Sequence, residues 1–419
     1  MADVPAPGLA DSRPYVGIGV LLAGDGVRGI GALFVFTTHV CLLADPKPNN
    51  NLFSYGWAAP VLGHIDLALS AFFVLSGYLI ARPYARAYVA GRRRPRLRNY
   101  VRNRVLRVVP VFYLLTILAL LRFGLDGSLE TGAAAPDATS SAWQVLGQFL
   151  FIQGQTTGPA AVPIGPAWSI GAEVGFYIVI PLAAYGAYLA ATRLRDQYAR
   201  AALALGLIAV VTVVSIALRA HDKYLFAWLT SPPAILYAFM PGVALGIAEP
   251  IFAAHLRDRA RLATTIAWAA FALGLLCAIV YAASDYDVRQ TPIHHALGVR
   301  ALLAALCTGL LLAGLVVLQI GTGRAPRAFA NRFMLWLGAR SYSFYLVHIW
   351  VLLEIDHILG AGESIATRLA IMSAIGFPLT ALWAALSYRF VERPFLERKL
   401  RTTQHAPAEP PPVAFGPAR

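Results

Sequence analysis

Charged side chains are scarce in this chain of 419 residues: they make up 13% of it, against 58% hydrophobic residues. No single water-soluble core hides that much apolar surface, so an ordinary soluble enzyme is excluded. Lysine is nearly absent, at Lys47, Lys223 and Lys399 only, so the formal charge of +14 is carried almost entirely by arginine. Those arginines sit between apolar runs and not on one solvated face, which argues against a nucleic-acid partner and for a membrane protein with its positive loops on the cytoplasmic side. There are three cysteines, Cys41, Cys277 and Cys307, far apart and each within an apolar run. Neither a disulfide framework nor a zinc spacing is present, and buried packing is the expected role. The N-terminus lacks the basic region of a signal peptide and carries Asp3 and Asp11, so no cleaved leader is expected. No glycine-rich phosphate loop, internal repeat or soluble second domain is visible.

What is present is length in the apolar runs. Ten stretches suit a bilayer, which needs about 20 residues per helix: 27–43, 61–81, 105–121, 168–191, 201–218, 233–254, 262–283, 297–320, 334–353 and 366–387. Pro181, Pro241 and Gly376 lie inside them, as membrane helices tolerate. The connecting segments alternate in charge. Between Arg82 and Arg107 there are ten arginines and no acid, and Arg193/Arg195/Arg200, Arg257/Arg259/Arg261, Arg324/Arg327/Arg332 and the stretch 389–401 are also basic. The other loops hold Asp45, Asp126/Glu130/Asp137, Asp222, Asp285/Asp287 and Glu354/Asp356/Glu363. The expected fold class is therefore an all-α integral membrane protein, a bundle of about ten transmembrane helices with both termini cytoplasmic. Residues 1–24 form a cytoplasmic segment, 25–399 the membrane domain, and 400–419 a Pro/Ala-rich, disordered cytoplasmic tail.

Ionisable residues within membrane spans are costly and are therefore the first functional candidates. In DGVRGIGALFVFTTH, Arg28 stands at the cytoplasmic edge and His39 eleven residues further in, roughly 16 Å along a helix and on nearly the same face. The pair reads equally as a sidedness arginine with a structural histidine, or as a cation at an entrance with a titratable base inside. FFVLSGYLI places Ser76 and Gly77 close to the cytoplasmic edge of the second span, where small residues favour close packing or ligand approach. Arg104 and Arg107 share a helix face and suit a bidentate grip on phosphate, although the surrounding arginines read as a lipid-facing sidedness signal. PAWSIGAEVGFYIVIP places Glu173 and Tyr177 on one face below the outer surface, for pairing or for function. In GARSYSFYLVHIWV, Ser341 and His348 are two turns apart on one face. His294-His295 is a weak metal signal in an outer loop, and no metal is assigned. His64, His221, His255 and His357 need no special role.

Together these segments resemble the acyltransferase-3 family of integral-membrane O-acyltransferases over about 25–395. The matching pieces are DGVRGIGALFVFTTH, FFVLSGYLI, RVLRVVPVFY, PAWSIGAEVGFYIVIP, LGARSYSFYLVHIWV and the closing YRFVERPFL. The resemblance implies transfer of an acyl group, acetyl in the usual case, from cytoplasmic acyl-CoA to a hydroxyl of a carbohydrate-containing acceptor: a cell-envelope glycan, a glycolipid or a glycosylated small molecule. Acyl-CoA is then a co-substrate and no cofactor is permanently bound. Membrane lipids are the other partners, and the location is a bacterial-type plasma membrane. The site residues implied are His39 and Glu173 for catalysis, and Arg28, Ser76, Gly77, Arg104 and Arg107 for acyl-CoA. Tyr177, His348 and Ser341 bind or support the acceptor. Two departures from the family pattern stand out: Ser70 replaces an Asp common before the Phe-Phe pair, with Asp66 as the substitute, and no hydrolase-like domain follows Lys399.

Acyl-CoA brings its own activated thioester, so the protein has to deprotonate a hydroxyl, orient it and stabilise an oxyanion. Histidine suits the first task. Direct transfer is the simpler expectation, with an acyl-enzyme on His39 or Ser76 as the other chemistry. The rival function is a transporter or flippase for a polar or lipid-linked substrate, which ten spans with buried His, Glu and Arg also suit; an inert scaffold leaves those residues unexplained. Counting depth along the spans predicts two layers: His39, Glu173 and His348 in an outer one, and Arg28, Ser76, Arg104 and Arg107 near the cytoplasm.

Overall fold

The computed structural model describes residues 21, 23–44, 67–123, 142–153, 167–191, 194, 196–221, 231–283, 293–360 and 362–404. Among these there is no strand. The helices are α1 (Gly24–Ala44), α2 (Leu67–Val89), α3 (Leu97–Phe123), α4 (Ala142–Phe149), α5 (Trp168–Ala190), α6 (Gln197–His221), α7 (Pro232–Ile235), α8 (Met240–Leu256), α9 (Ala260–Ala283), α10 (Ile293–Thr322), α11 (Arg327–Ala330), α12 (Arg332–Ala339), α13 (Ser341–Leu359), α14 (Ile365–Ile371), α15 (Phe377–Ser387) and α16 (Arg393–Gln404). Among the described residues nine helices are long and apolar enough to cross a membrane; the bent pair Pro232–Ala238 and Met240–Leu256 makes a tenth if taken as one span. The bend of 49° follows from Pro241, which lacks an amide donor in the first turn of α8.

Burial follows the same logic. Large apolar side chains on α5, α6 and α9, among them Leu182, Val213, Trp268 and Leu275, point outward. In water they would be a liability; against lipid chains they are the solvated surface. The inner helices α2, α8, α10 and α1 pack closely because glycines remove the spacing side chains. A Cβ on Gly242 would meet the Val74 carbonyl, and one on Gly77 the Phe239 carbonyl.

Four boundaries differ from the sequence expectation. The second span runs to Val89 and not 81, so Ser76 and Gly77 lie near the middle of α2, not at its edge. The stretch 334–353 is not one helix. It breaks at Arg340 into α12, which packs on the first turns of α1 through Gly29 and Gly338, and α13, which crosses. The last span continues through two π-helical turns, Met372–Gly376 and Tyr388–Glu392, into α16, which ends at Gln404, inside the tail expected from residue 400. His294 and His295 fall in the first turn of α10 and not in a loop. Cys41 and Cys307 are buried and Cys277 is half-buried. Asp66, Asp45, Asp126, Glu130, Asp137, Asp222, Asp285, Asp287, the segment 1–20 and the tail 405–419 lie outside the described residues.

Candidate active site

The polar residues of five spans converge on one cavity, with about 740 Å³ of empty space counted out to its mouth. Arg28 of α1, Ser76 of α2, Arg104 and Arg107 of α3, Ser169, Glu173 and Tyr177 of α5, and Ser341 and Tyr345 of α13 all line it. Helical periodicity accounts for each set: 104 and 107, 169, 173 and 177, and 341 and 345 are three or four apart, so each group occupies one face.

Its charges are unevenly satisfied. Arg28 donates to Asp25 at 2.8 Å. Arg104 rests over the rings of Tyr177 (5.4 Å) and Tyr100 (5.7 Å), and its Nε is buried without a hydrogen-bond partner. Neither Arg104 nor Arg107 makes a hydrogen bond or an ion pair among the described residues. Other arginines in the bundle are paired. Arg82 and Arg86 each donate twice to Glu249, and Arg368 is held by Asp356 and the Leu43 and Gly360 carbonyls. The cavity therefore keeps two guanidiniums whose donors face no protein anion at bonding distance, a preorganised site for an anionic ligand.

The one carboxylate in this wall, Glu173, accepts a 2.8 Å hydrogen bond from the Ser76 hydroxyl. This corrects the two-layer expectation: Glu173 belongs with Ser76 and the arginines, not with the histidines. Depth counted from helix ends failed because the ends are not level. His348, for example, is eleven residues from the end of α13 at Leu359, not five. Gly77 is also misplaced as a donor-binding residue. It faces α8, and its role is close packing.

His39 and His348 form the second layer by themselves. Their rings meet edge to face with centroids 4.8 Å apart, and His348 Nε2 lies 3.3 Å from His39 Nδ1. His39 Nδ1 donates to the Val35 carbonyl at 2.8 Å and His348 Nδ1 to the Tyr345 carbonyl at 2.5 Å. Carbonyl oxygens only accept, so both protons sit on Nδ1 and both Nε2 atoms carry lone pairs. The layers are joined by Tyr345, whose ring is 5.5 Å from that of His348 and whose hydroxyl shares a 2.8 Å hydrogen bond with Ser169 in the cavity wall.

Two residues of this site, Ser169 and Tyr345, went unassigned in the sequence, as did Glu392 outside the cavity lining. Ser169 and Tyr345 share helix faces with Glu173 and Ser341, a spacing that was available as a signal. Glu392 lies in the quoted YRFVERPFL piece. The π turn carries it inward, where it is buried and accepts from Ser343 at 3.0 Å.

The described residues thus form a helical membrane bundle with an anion-ready cavity and, joined to it through Tyr345, a histidine pair. The chain matches the acyltransferase domain family over residues 22–389 and belongs to that family, acyltransferase-3. It is 24% identical over 403 residues to a putative peptidoglycan O-acetyltransferase of Bacillus subtilis, covering 90% of this chain and 55% of the relative, so the chain spans about half of that protein's length. It is also 23% identical over 379 residues to an acyltransferase of Streptomyces mycarofaciens, covering 86% of both chains. No solved structure matches it.

Proposed function

We propose that the protein transfers an acyl group, acetyl in the first instance, from acyl-CoA to a hydroxyl of a carbohydrate-containing acceptor such as an envelope glycan. The observation that carries this reading is the pair Arg104 and Arg107, lining a cavity without an ion-pair partner among the described residues. Phosphates of CoA supply the missing anion, entering from the basic, cytoplasmic end. His39 Nε2 takes the proton of the acceptor hydroxyl as its oxygen attacks the thioester carbonyl carbon. The tetrahedral intermediate collapses, the C–S bond breaks, and the CoA thiolate leaves with the proton from His39. Ser169 and Tyr345 place their hydroxyls in the cavity wall toward the oxyanion, whereas the Ser76 proton is committed to Glu173. The O-acetyltransferase named among the relatives supports a sugar hydroxyl as acceptor.

The test is purification in detergent or nanodiscs, incubation with acetyl-CoA and longer acyl-CoAs against glycan fragments, glycolipids and glycosylated small molecules, and mass spectrometry of the products. An acylated acceptor with release of CoA is expected. No acyl-CoA binding, together with movement of a substrate across vesicle membranes, would favour a transporter instead.

A further inference from the structure

His348 is fully buried, with 0% of its surface exposed, whereas His39 is only half-buried. A group so enclosed does not meet an acceptor, so direct acceptor binding by His348 is disfavoured. The three hydrogen bonds of the pair instead form a directed chain. The Tyr345 carbonyl fixes the His348 proton on Nδ1, which leaves the Nε2 lone pair aimed at the Nδ1–H that His39 shares with the Val35 carbonyl. We infer that His348 is a positioning residue for His39: a neutral imidazole whose Nε2 accepts from His39 Nδ1–H, so that His39 presents Nε2 to the substrate and its positive charge, once formed, has a partner inside the membrane.

This rests on the reading of His39 as general base, and it adds what a lone histidine lacks. When His39 Nε2 takes the hydroxyl proton, the ring becomes an imidazolium with little water around it, and an uncompensated charge there is costly. The Val35 carbonyl is one acceptor, and His348 Nε2 is a second, on the same Nδ1–H. The proton on His39 Nδ1 stays in place throughout. The one gained at Nε2 returns to the departing thiolate, so the cycle balances without oxidant or metal.

Three variants and one spectrum test it. With acetyl-CoA and the acceptor identified as above, H348L should lower kcat roughly ten- to hundred-fold with KM within a few-fold, as for loss of one hydrogen bond to a charged group. H348Q, whose Oε1 replaces the Nε2 acceptor, should stay within about five-fold of wild type. H39A/H348L should be no slower than H39A alone, since His348 acts through His39. In protein labelled with nitrogen-15 histidine, with signals assigned by their loss in H39A and H348L, both rings should carry the proton on Nδ1, a readout independent of turnover and of any variant's folding. H39A without activity beside H348L at wild-type kcat would overturn the inference alone, as would a proton found on His348 Nε2. H39A at wild-type turnover would remove the base itself.

Discussion

Ser76 on α2 donates its hydroxyl proton to Glu173 on α5 across 2.8 Å, and this bond holds the only carboxylate among the described residues of the cavity wall away from its two uncommitted arginines. Without it, a mobile carboxylate beside Arg104 and Arg107 would compete with any anionic ligand.

The S76A variant is therefore expected to weaken CoA binding by freeing Glu173 to pair with an arginine, without a direct contact to CoA being lost. Adding E173Q should restore most of the affinity, because the neutral amide no longer competes. Calorimetric titration of CoA into S76A and S76A/E173Q checks this. Equal weakening in both would give Ser76 a direct role in binding.

Arg104→Ala and Arg107→Ala should each reduce CoA affinity by about ten-fold or more, the loss of one charge-assisted hydrogen bond. Thermal stability should hold in Arg104→Ala, since among the described residues Arg104 makes no hydrogen bond or ion pair with a protein anion. Unchanged affinity in both variants would take the pair out of the donor site.

Glu249 gives the opposite pattern. It is buried, with Arg82 and Arg86 each held to it by two hydrogen bonds of 2.6 to 3.2 Å. E249A leaves two guanidiniums without their acceptor and should destabilise the protein by about 3 kcal/mol or more. CoA affinity of the folded fraction should not change. A melting curve and a binding titration on the same preparation separate the two effects.

Gly77→Ala tests packing against ligand binding at a position that the sequence assigned to the donor. The new Cβ would land on the Phe239 carbonyl, forcing α2 and α8 apart at a cost of about 1–3 kcal/mol. The melting temperature should fall while the KM of the surviving enzyme for acyl-CoA holds. A raised KM at unchanged stability would return Gly77 to the donor site.

His39→Ala should lower turnover on the order of a hundred-fold or more, with CoA affinity within a few-fold, because His39 is proposed as the base for the acceptor hydroxyl and lies outside the lining that holds the arginines. Single-turnover measurement at saturating acyl-CoA is the direct check, and near wild-type rates would sink the assignment.

The sequence by itself determined the solvent and the material. The scarcity of charge and the length of the apolar runs required a helical membrane bundle, because only helices or closed barrels satisfy backbone groups in lipid. The spacings of three and four that put Arg104 with Arg107 and Glu173 with Tyr177 were legible because they are local to one helix. What each face meets was decided by tertiary structure. Depth along a helix says little when Arg340 breaks one predicted span, α2 runs eight residues past its expected end, and π turns rotate Glu392 inward. Glu173 consequently joined Ser76 and not the histidines, and Gly77 turned to α8 while its neighbour turned to the cavity. The His39–His348 contact spans 309 positions of sequence. Only the packing of α13 against α1 brings those rings together, and no local pattern encodes which nitrogen faces which.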